Sequence, residues 1–363
     1  MNFSIRRHRV APMALSCLML MGSALAQAPA ADEAARDTTR LDPGFAVDTA
    51  LLQAARKEGK VVFWCAWREP ECQAAKDKFQ QLTGVQLEFT RLSTGPQVTR
   101  LNQERMARIY SVDVVHHGDP GVWESVYKAK QWLTPYTPEG ATHYAKEYRD
   151  NDGLYFAQFL VASPIGYNSK LVAPADVPRS YADLADAKYR GKVAMPHPKQ
   201  SGGFNEAVIG LTGVLGADYF KRLKNNDTLV LGGSQFALNA IVANGERAIA
   251  LAPVESGFIA DREAGKPLEV VYPAEGTILS QIFSGIVADA PHPNAARLLQ
   301  EWLHSVTLQN ILTQTGNLVP HPDAVYPAGR KKLAEIKTII VPAADIVKGS
   351  AQSKRMFSDL FGG

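Results

Sequence analysis

GYNSKLVAPADVPRSYADLADAKYRGKVAMPHPKQSGGFNEAVIG, residues 166–210, is the stretch whose reading decides the fold. Its aromatic and apolar start predicts a strand. Pro174 and Pro178 mark a connector, a short helix follows, and Lys192–Met195 predicts a second strand. Ser201-Gly202-Gly203 then opens a helix beyond that strand's carboxyl end. Ligands in open α/β sheets collect at such places, and a helix N-terminus favours an anion.

The same alternation extends in both directions. Upstream, Thr49–Lys57 predicts a helix closed by Gly59, and Lys60–Trp64 a strand. Pro70–Leu82 predicts a helix and Val85–Phe89 a strand. After the Ser93-Thr94-Gly95 turn a helix is expected through Ile109, then a strand at Val112–Val115. Asp119-Pro120 reads as an N-cap followed by proline at the first helical position. Downstream, strands are expected at 229–231, 247–252 and 268–272. Helices are expected from Ser234 to a stop at Gly245, around 257–264, and at 294–303 with Trp302 on its apolar face. The pattern predicts an α/β protein of two Rossmann-like, doubly wound lobes. Residues 48–158 and 285–363 form lobe 1 and residues 159–284 form lobe 2. Two chain crossings between the lobes act as hinges over a cleft.

The first 26 residues read as a cleavable export signal: Arg6, Arg7 and Arg9, an apolar run from Val10 to Leu25, then Ala24-Leu25-Ala26. Residues 27–47 are Ala-rich and charged, and an unstructured arm is expected there. The full chain has 39 Lys and Arg against 36 Asp and Glu, and loss of the leader's three Arg levels the two. That balance gives a nucleic-acid partner no electrostatic support. A periplasmic, monomeric product is expected. Cys65 and Cys72 remain after cleavage, and an oxidising compartment favours a local disulfide. A reactive thiol is the alternative, but no nearby histidine in the sequence supplies a base.

Ordered fragments along the chain resemble one family: KEGKVVFW (57–64), VDVVHHGD (112–119), GYNSKL (166–171), residues 177–203, NGERAIAL (244–251), YPAEGT (272–277) and DAPHPNAARLLQEWL (289–303). Together they make the chain similar to the extracytoplasmic solute-binding proteins of ABC transporters, type II fold, in the group that includes ferric-iron, phosphonate and phosphosugar binders. The resemblance implies a receptor with no catalytic residues and no cofactor, whose partners are a small solute and a membrane permease with its ATPase. Use of the bound form by a membrane sensor is the alternative role.

The resemblance carries the family's contact loops onto Trp67 and Arg68, onto Ser93, Thr94 and Gly95, and onto Gly118 and Asp119. In the second lobe it carries them onto Ser201, Gly202, Gly203, Ser234, Glu255 and Thr277. Two amide-rich turns, 93–95 and 201–203, would clamp a phosphate, phosphonate or carboxylate from both sides. Arg68 could fork onto an anion or stay a solvated loop charge. Trp67 could stack on a ligand or cover the lobe. Asp119 could serve as a cap or a contact. Glu255 could accept from a ligand amine or lie at the surface. His116-His117 invites a metal reading, but adjacent strand residues point oppositely, and no metal site is expected. Ferric-iron binders of the family use adjacent tyrosines just after the strand that corresponds to residues 248–252. Here that position reads Pro253-Val254-Glu255-Ser256, so an organic anion or zwitterion is the expected solute and ferric iron the alternative.

Overall fold

A computed structural model describes residues 37–67 and 69–362, so the expected leader and Arg68 lie outside the described residues. The chain opens with a hairpin, β1 (Thr38–Asp42) and β2 (Phe45–Asp48), and then α1 (Thr49–Glu58). Asp48 caps α1 by accepting from the Leu51 amide at 2.9 Å, and Gly59 ends it at φ 80°, a conformation that suits glycine. The hairpin corrects the expectation of an unstructured arm for its last residues. Phe45 and Val47 alternate inward and are buried, and the Phe45 ring lies 5.4 Å from that of Trp302. Two inward side chains in an otherwise polar stretch are a weak periodic signal.

Next come β3 (Lys60–Cys65), α2 (Glu69–Thr83), β4 (Gln86–Arg91), α3 (Thr94–Met106), β5 (Val114–His117) and α4 (Pro120–Val122), which runs into a π-helical turn at Trp123–Lys128. The strands β6 (Leu133–Thr134) and β7 (Phe156–Ser163) flank α5 (Glu139–Thr142). The second half holds β8 (Ile165–Asn168), β9 (Val193–Pro196), α6 (Gly202–Leu215), α7 (Asp218–Asn225), β10 (Leu229–Leu231) and α8 (Ala237–Ala243). It continues through β11 (Ile249–Leu251), α9 (Glu255–Glu263) and β12 (Leu268–Val271) to β13 (Thr277–Val287). Helices α10 (Pro293–Leu303) and α11 (Val306–Gln314), strand β14 (Thr338–Ile340) and helix α12 (Ala343–Phe361) end the chain.

Two larger sheets result. One has the order β10-β9-β11-β8-β12. The other has the order β14-β13-β5-β3-β4, with β6 and β7 also paired to β13. Strands β3, β4 and β5 run parallel, as do β9, β10 and β11, and each sheet packs helices around it. The returning strands are antiparallel: β13 to β5 and β7, and β8 to β11 and β12. The two crossings fall at Pro164, between β7 and β8, and at residues 272–276, between β12 and β13. Gly276 makes the second possible at φ 120°. Both β7 and β13 therefore pair wholly within the larger sheet, which moves the expected boundaries at 159 and 284.

Helices α10 and α11 and strand β14 stay with the larger sheet, but α12 departs from the expectation that residues 285–363 belong to the first lobe. Phe357 on α12 is fully buried among the side chains that back the five-stranded sheet, its ring 5.9 Å from Phe204 and 5.7 Å from Phe220. Asn205 of α6 donates to Ser350 Oγ at 3.0 Å and accepts from Ser353, fastening the two helices. Cys65 and Cys72 form a disulfide, with Cα atoms 6.6 Å apart.

Phe357→Ala should cost about 3–5 kcal/mol in a urea unfolding titration. A loss below roughly 0.5 kcal/mol, the range of ordinary surface changes, would mean that α12 is not part of this core.

Candidate functional site

The turn 93–95 follows β4 and starts α3. The turn 118–119 follows β5. The turn 201–203 follows β9 and starts α6. All three lie at carboxyl ends of parallel strands, the first two from the larger sheet and the third from the smaller. They meet at a cavity of about 520 Å³ lined by Ser93, Thr94, Gly95, Gly118, Asp119, Gly202 and Gly203. Ser125, Asn205 and Glu206 complete the polar wall, and α12 closes one side with Ile346, Val347, Ser350 and Lys354.

Two buried glutamines hold the turns in place. Gln97, one turn into α3, donates to Leu92 O at 2.8 Å and His116 O at 2.9 Å, so it ties the 93–95 turn to β5. Gln235 donates to Ser163 Oγ at 3.0 Å and Ala252 O at 2.6 Å, while its oxygen accepts from Ser201 Oγ at 3.4 Å. It joins the end of β7, the end of β11 and the start of α6. Ser201 caps α6 through the Phe204 amide at 3.3 Å, and Asp119 caps α4 through the Val122 amide at 3.2 Å. The Thr94 and Gly95 amides of α3, which continues with Pro96, and the Gly202 and Gly203 amides of α6 have no acceptors within their own helices and can face a ligand.

The electrostatics of the cavity are mixed. The helix N-termini of α3 and α6 carry partial positive charge, and Lys354 adds a full one. Asp119 and Glu206 oppose them. Burial raises the Glu206 carboxyl to about pH 8; the Ser280 hydroxyl favours its ionisation and the Asp119 carboxylate opposes it. Among the described residues Glu206 has no ion-pair partner.

The other residues expected at the site lie elsewhere. Trp67 is buried against Phe63, His116 and Phe159, where it fills the core of the larger sheet. Glu255 is buried too. It accepts from the Tyr272 hydroxyl and sits 3.9 Å from Arg330, and burial raises its carboxyl despite those partners. Thr277 is fully buried, paired in register with Thr338. Ser234 is exposed and does not line the cavity; its neighbour Gln235 is the residue turned inward. His116 and His117 face opposite clusters. His116 accepts from the Ala66 amide at 3.2 Å, and His117 stacks on Trp123 at 4.7 Å. Burial lowers both rings to about pH 3. Among the described residues, no three His, Cys, Asp or Glu side chains come together as a metal site.

Sequence reasoning missed Glu206. Its signal was available: in α6, GGFNEAVIGLTGVL, it is the one charged residue, among buried Phe204, Ala207, Val208 and Leu211.

The profile of a family described as bacterial extracellular solute-binding protein matches residues 122–348, more than half of the chain. The chain belongs to the bacterial extracellular solute-binding proteins. Solved relatives share the architecture. The periplasmic binding protein AfuA of Actinobacillus pleuropneumoniae, with fructose-6-phosphate bound, superposes with a TM-score of 0.66 at 21% identity, covering 83% of this chain and 97% of that one. A Trichodesmium protein in complex with iron and citrate gives 0.70 at 19% identity, covering 84% and 100%. The Fe(3+)-binding periplasmic protein of Serratia marcescens is 22% identical over 308 residues, 81% of this chain and 87% of that protein. This solute-binding protein thus has the type II periplasmic-binding fold that its sequence led us to expect.

A buried acid with a raised pKa gives a stability signature. Folded Glu206 keeps its proton to about pH 8, while unfolded Glu loses it near its ordinary value of 4.5. Between these values the unfolded chain binds fewer protons, so stability falls as pH rises. Glu206→Gln should remove that fall. The stability gain of the ligand-free variant, followed by urea unfolding across pH, should open above pH 4.5 and level off above pH 8, with a ceiling on the order of 5 kcal/mol. Parallel curves for the two proteins would contradict the burial assigned to this carboxyl.

Proposed function

We propose that this chain is the periplasmic receptor of an ABC importer, and that it captures a small organic anion or zwitterion and hands it unchanged to a permease and its ATPase. The observation that carries the reading is the convergence of the 93–95 and 202–203 turns, from two different sheets, on one cavity of about 520 Å³. Each turn begins a helix of 13 or more residues. A phosphate, phosphonate or carboxylate there would receive backbone N–H bonds from both sides, each charge-assisted. The crossings at Pro164 and 272–276 would act as the hinges between an open and a closed form, and export by the leader would deliver the chain to the periplasm.

A second reading is ferric-ion capture with an accompanying anion. Asp119 and Glu206 offer hard oxygen donors in the cavity, and two of the relatives above are described as binding iron. No tyrosine lines this cavity, so phenolate ligation there would need a large rearrangement.

A thermal-shift panel of sugar phosphates, phosphonates, carboxylates and ferric citrate tests both. A true solute at about 100 times its Kd should stabilise the protein by roughly 2.7 kcal/mol. A retained ferric charge-transfer colour would favour iron. The glycines allow a sharper check. A side chain at Gly202 or Gly95 meets open space, whereas one at Gly203 would press on Gln235 at 2.6 Å. Gly202→Leu should therefore abolish the shift while leaving the ligand-free melting temperature nearly unchanged. A full shift in that variant would move the site away from this cavity.

A further inference from the structure

The cavity that suits an anion is itself short of positive charge. Its titratable lining consists of Asp119, Glu206 and Lys354. Glu206 comes from α6 beside the smaller sheet, Asp119 from the strand end of the larger sheet, and Lys354 from α12, while the Ser280 hydroxyl acts on Glu206 from β13. The Glu206 side chain belongs to a residue only 6% exposed, yet it lines the void and forms no ion pair with Lys354 or any other described cation. A buried carboxylate without a cation beside it is costly, and here the space Glu206 faces is where the solute would sit.

We propose that the cavity takes a zwitterion, whose anionic group rests on the 93–95 and 202–203 turns and whose protonated amine lies against Glu206 and Asp119. This rests on the receptor reading above and deepens it. Glu206 is then the residue that decides specificity. A plain anion of the same size gains nothing from the buried Glu206, while an ammonium group supplies the charge-assisted partner that Glu206 lacks. Burial keeps the proton on Glu206 in the empty cavity, and an adjacent ammonium favours the carboxylate. Capture near neutral pH therefore releases up to one proton.

The test is calorimetry on the mature full-length chain with a matched pair, O-phosphoethanolamine and monoethyl phosphate, each run in HEPES and in Tris buffer, whose ionisation enthalpies differ and neither of which supplies free phosphate. The wild type should prefer phosphoethanolamine by at least about tenfold, and the two buffers should report proton release with that ligand alone. Glu206→Gln should level the pair; its melting temperature at pH 5, where Glu206 is neutral in the folded wild type, checks its fold. Equal or tighter binding of monoethyl phosphate by the wild type overturns the zwitterion assignment and leaves the receptor reading intact. A preference that survives in Glu206→Gln overturns the role of that residue. Failure of both phosphates together with every member of the thermal-shift panel overturns the receptor reading as well.

Discussion

The backbone of β13 is the constraint on which the rest of the molecule depends. Its residues pair with β7 and β5 in antiparallel fashion and with β14 in parallel, and all but one of them are buried. A strand with both edges hydrogen-bonded and both faces covered has no freedom to slip, because a shift by one residue would exchange its faces. That rigidity sets where the chain leaves one sheet for the other. With β7 and β13 held in the larger sheet, the crossings are confined to the short segments at Pro164 and 272–276. Glu275 secures the second by accepting from the Tyr181 and Ala182 amides at 3.0 and 2.9 Å.

The cavity follows from this geometry. Parallel strands send their carboxyl ends to one side of each sheet, and the crossings turn those two sides toward each other. Helix starts from opposite sheets then meet. Gln97, through two main-chain oxygens, and Gln235, through the Ala252 oxygen and the Ser163 hydroxyl, convert loose turns into positioned ones. Neither glutamine lines the cavity. Their contribution is to take away alternatives, since a buried amide that loses its acceptors carries the full cost of desolvation.

Charge gives the site its chemical character. Amide-rich turns alone would make a general anion trap. An acid in the second turn of α6, facing another from the opposite sheet, changes what can be held there. The same residue lowers the stability of the empty protein as pH rises, an exchange of stability for selectivity that is common at binding sites. By contrast, Glu255 has a cation beside it: it lies 3.9 Å from Arg330 and accepts from the Tyr272 hydroxyl.

Much of this was legible in the residues themselves. Alternating strand and helix signals, glycine stops and the Ser-Thr-Gly and Ser-Gly-Gly helix starts marked the α/β class and three of the turns at the cavity, because these depend on local sterics and periodicity. What could not be read there depends on partners far along the chain. Trp67, Glu255 and Thr277 occupy loop and strand-end positions that look open in one dimension, yet Phe159, Arg330 and β14 cover them. Glu206 looks like an ordinary helix acid until α12 and the opposite sheet enclose it. The sequence by itself determined the elements and the turns that start them. Only the tertiary structure decided which of those turns share a cavity and which charge is left there without a partner, because burial and ion pairing are set by contacts between segments that no local pattern records.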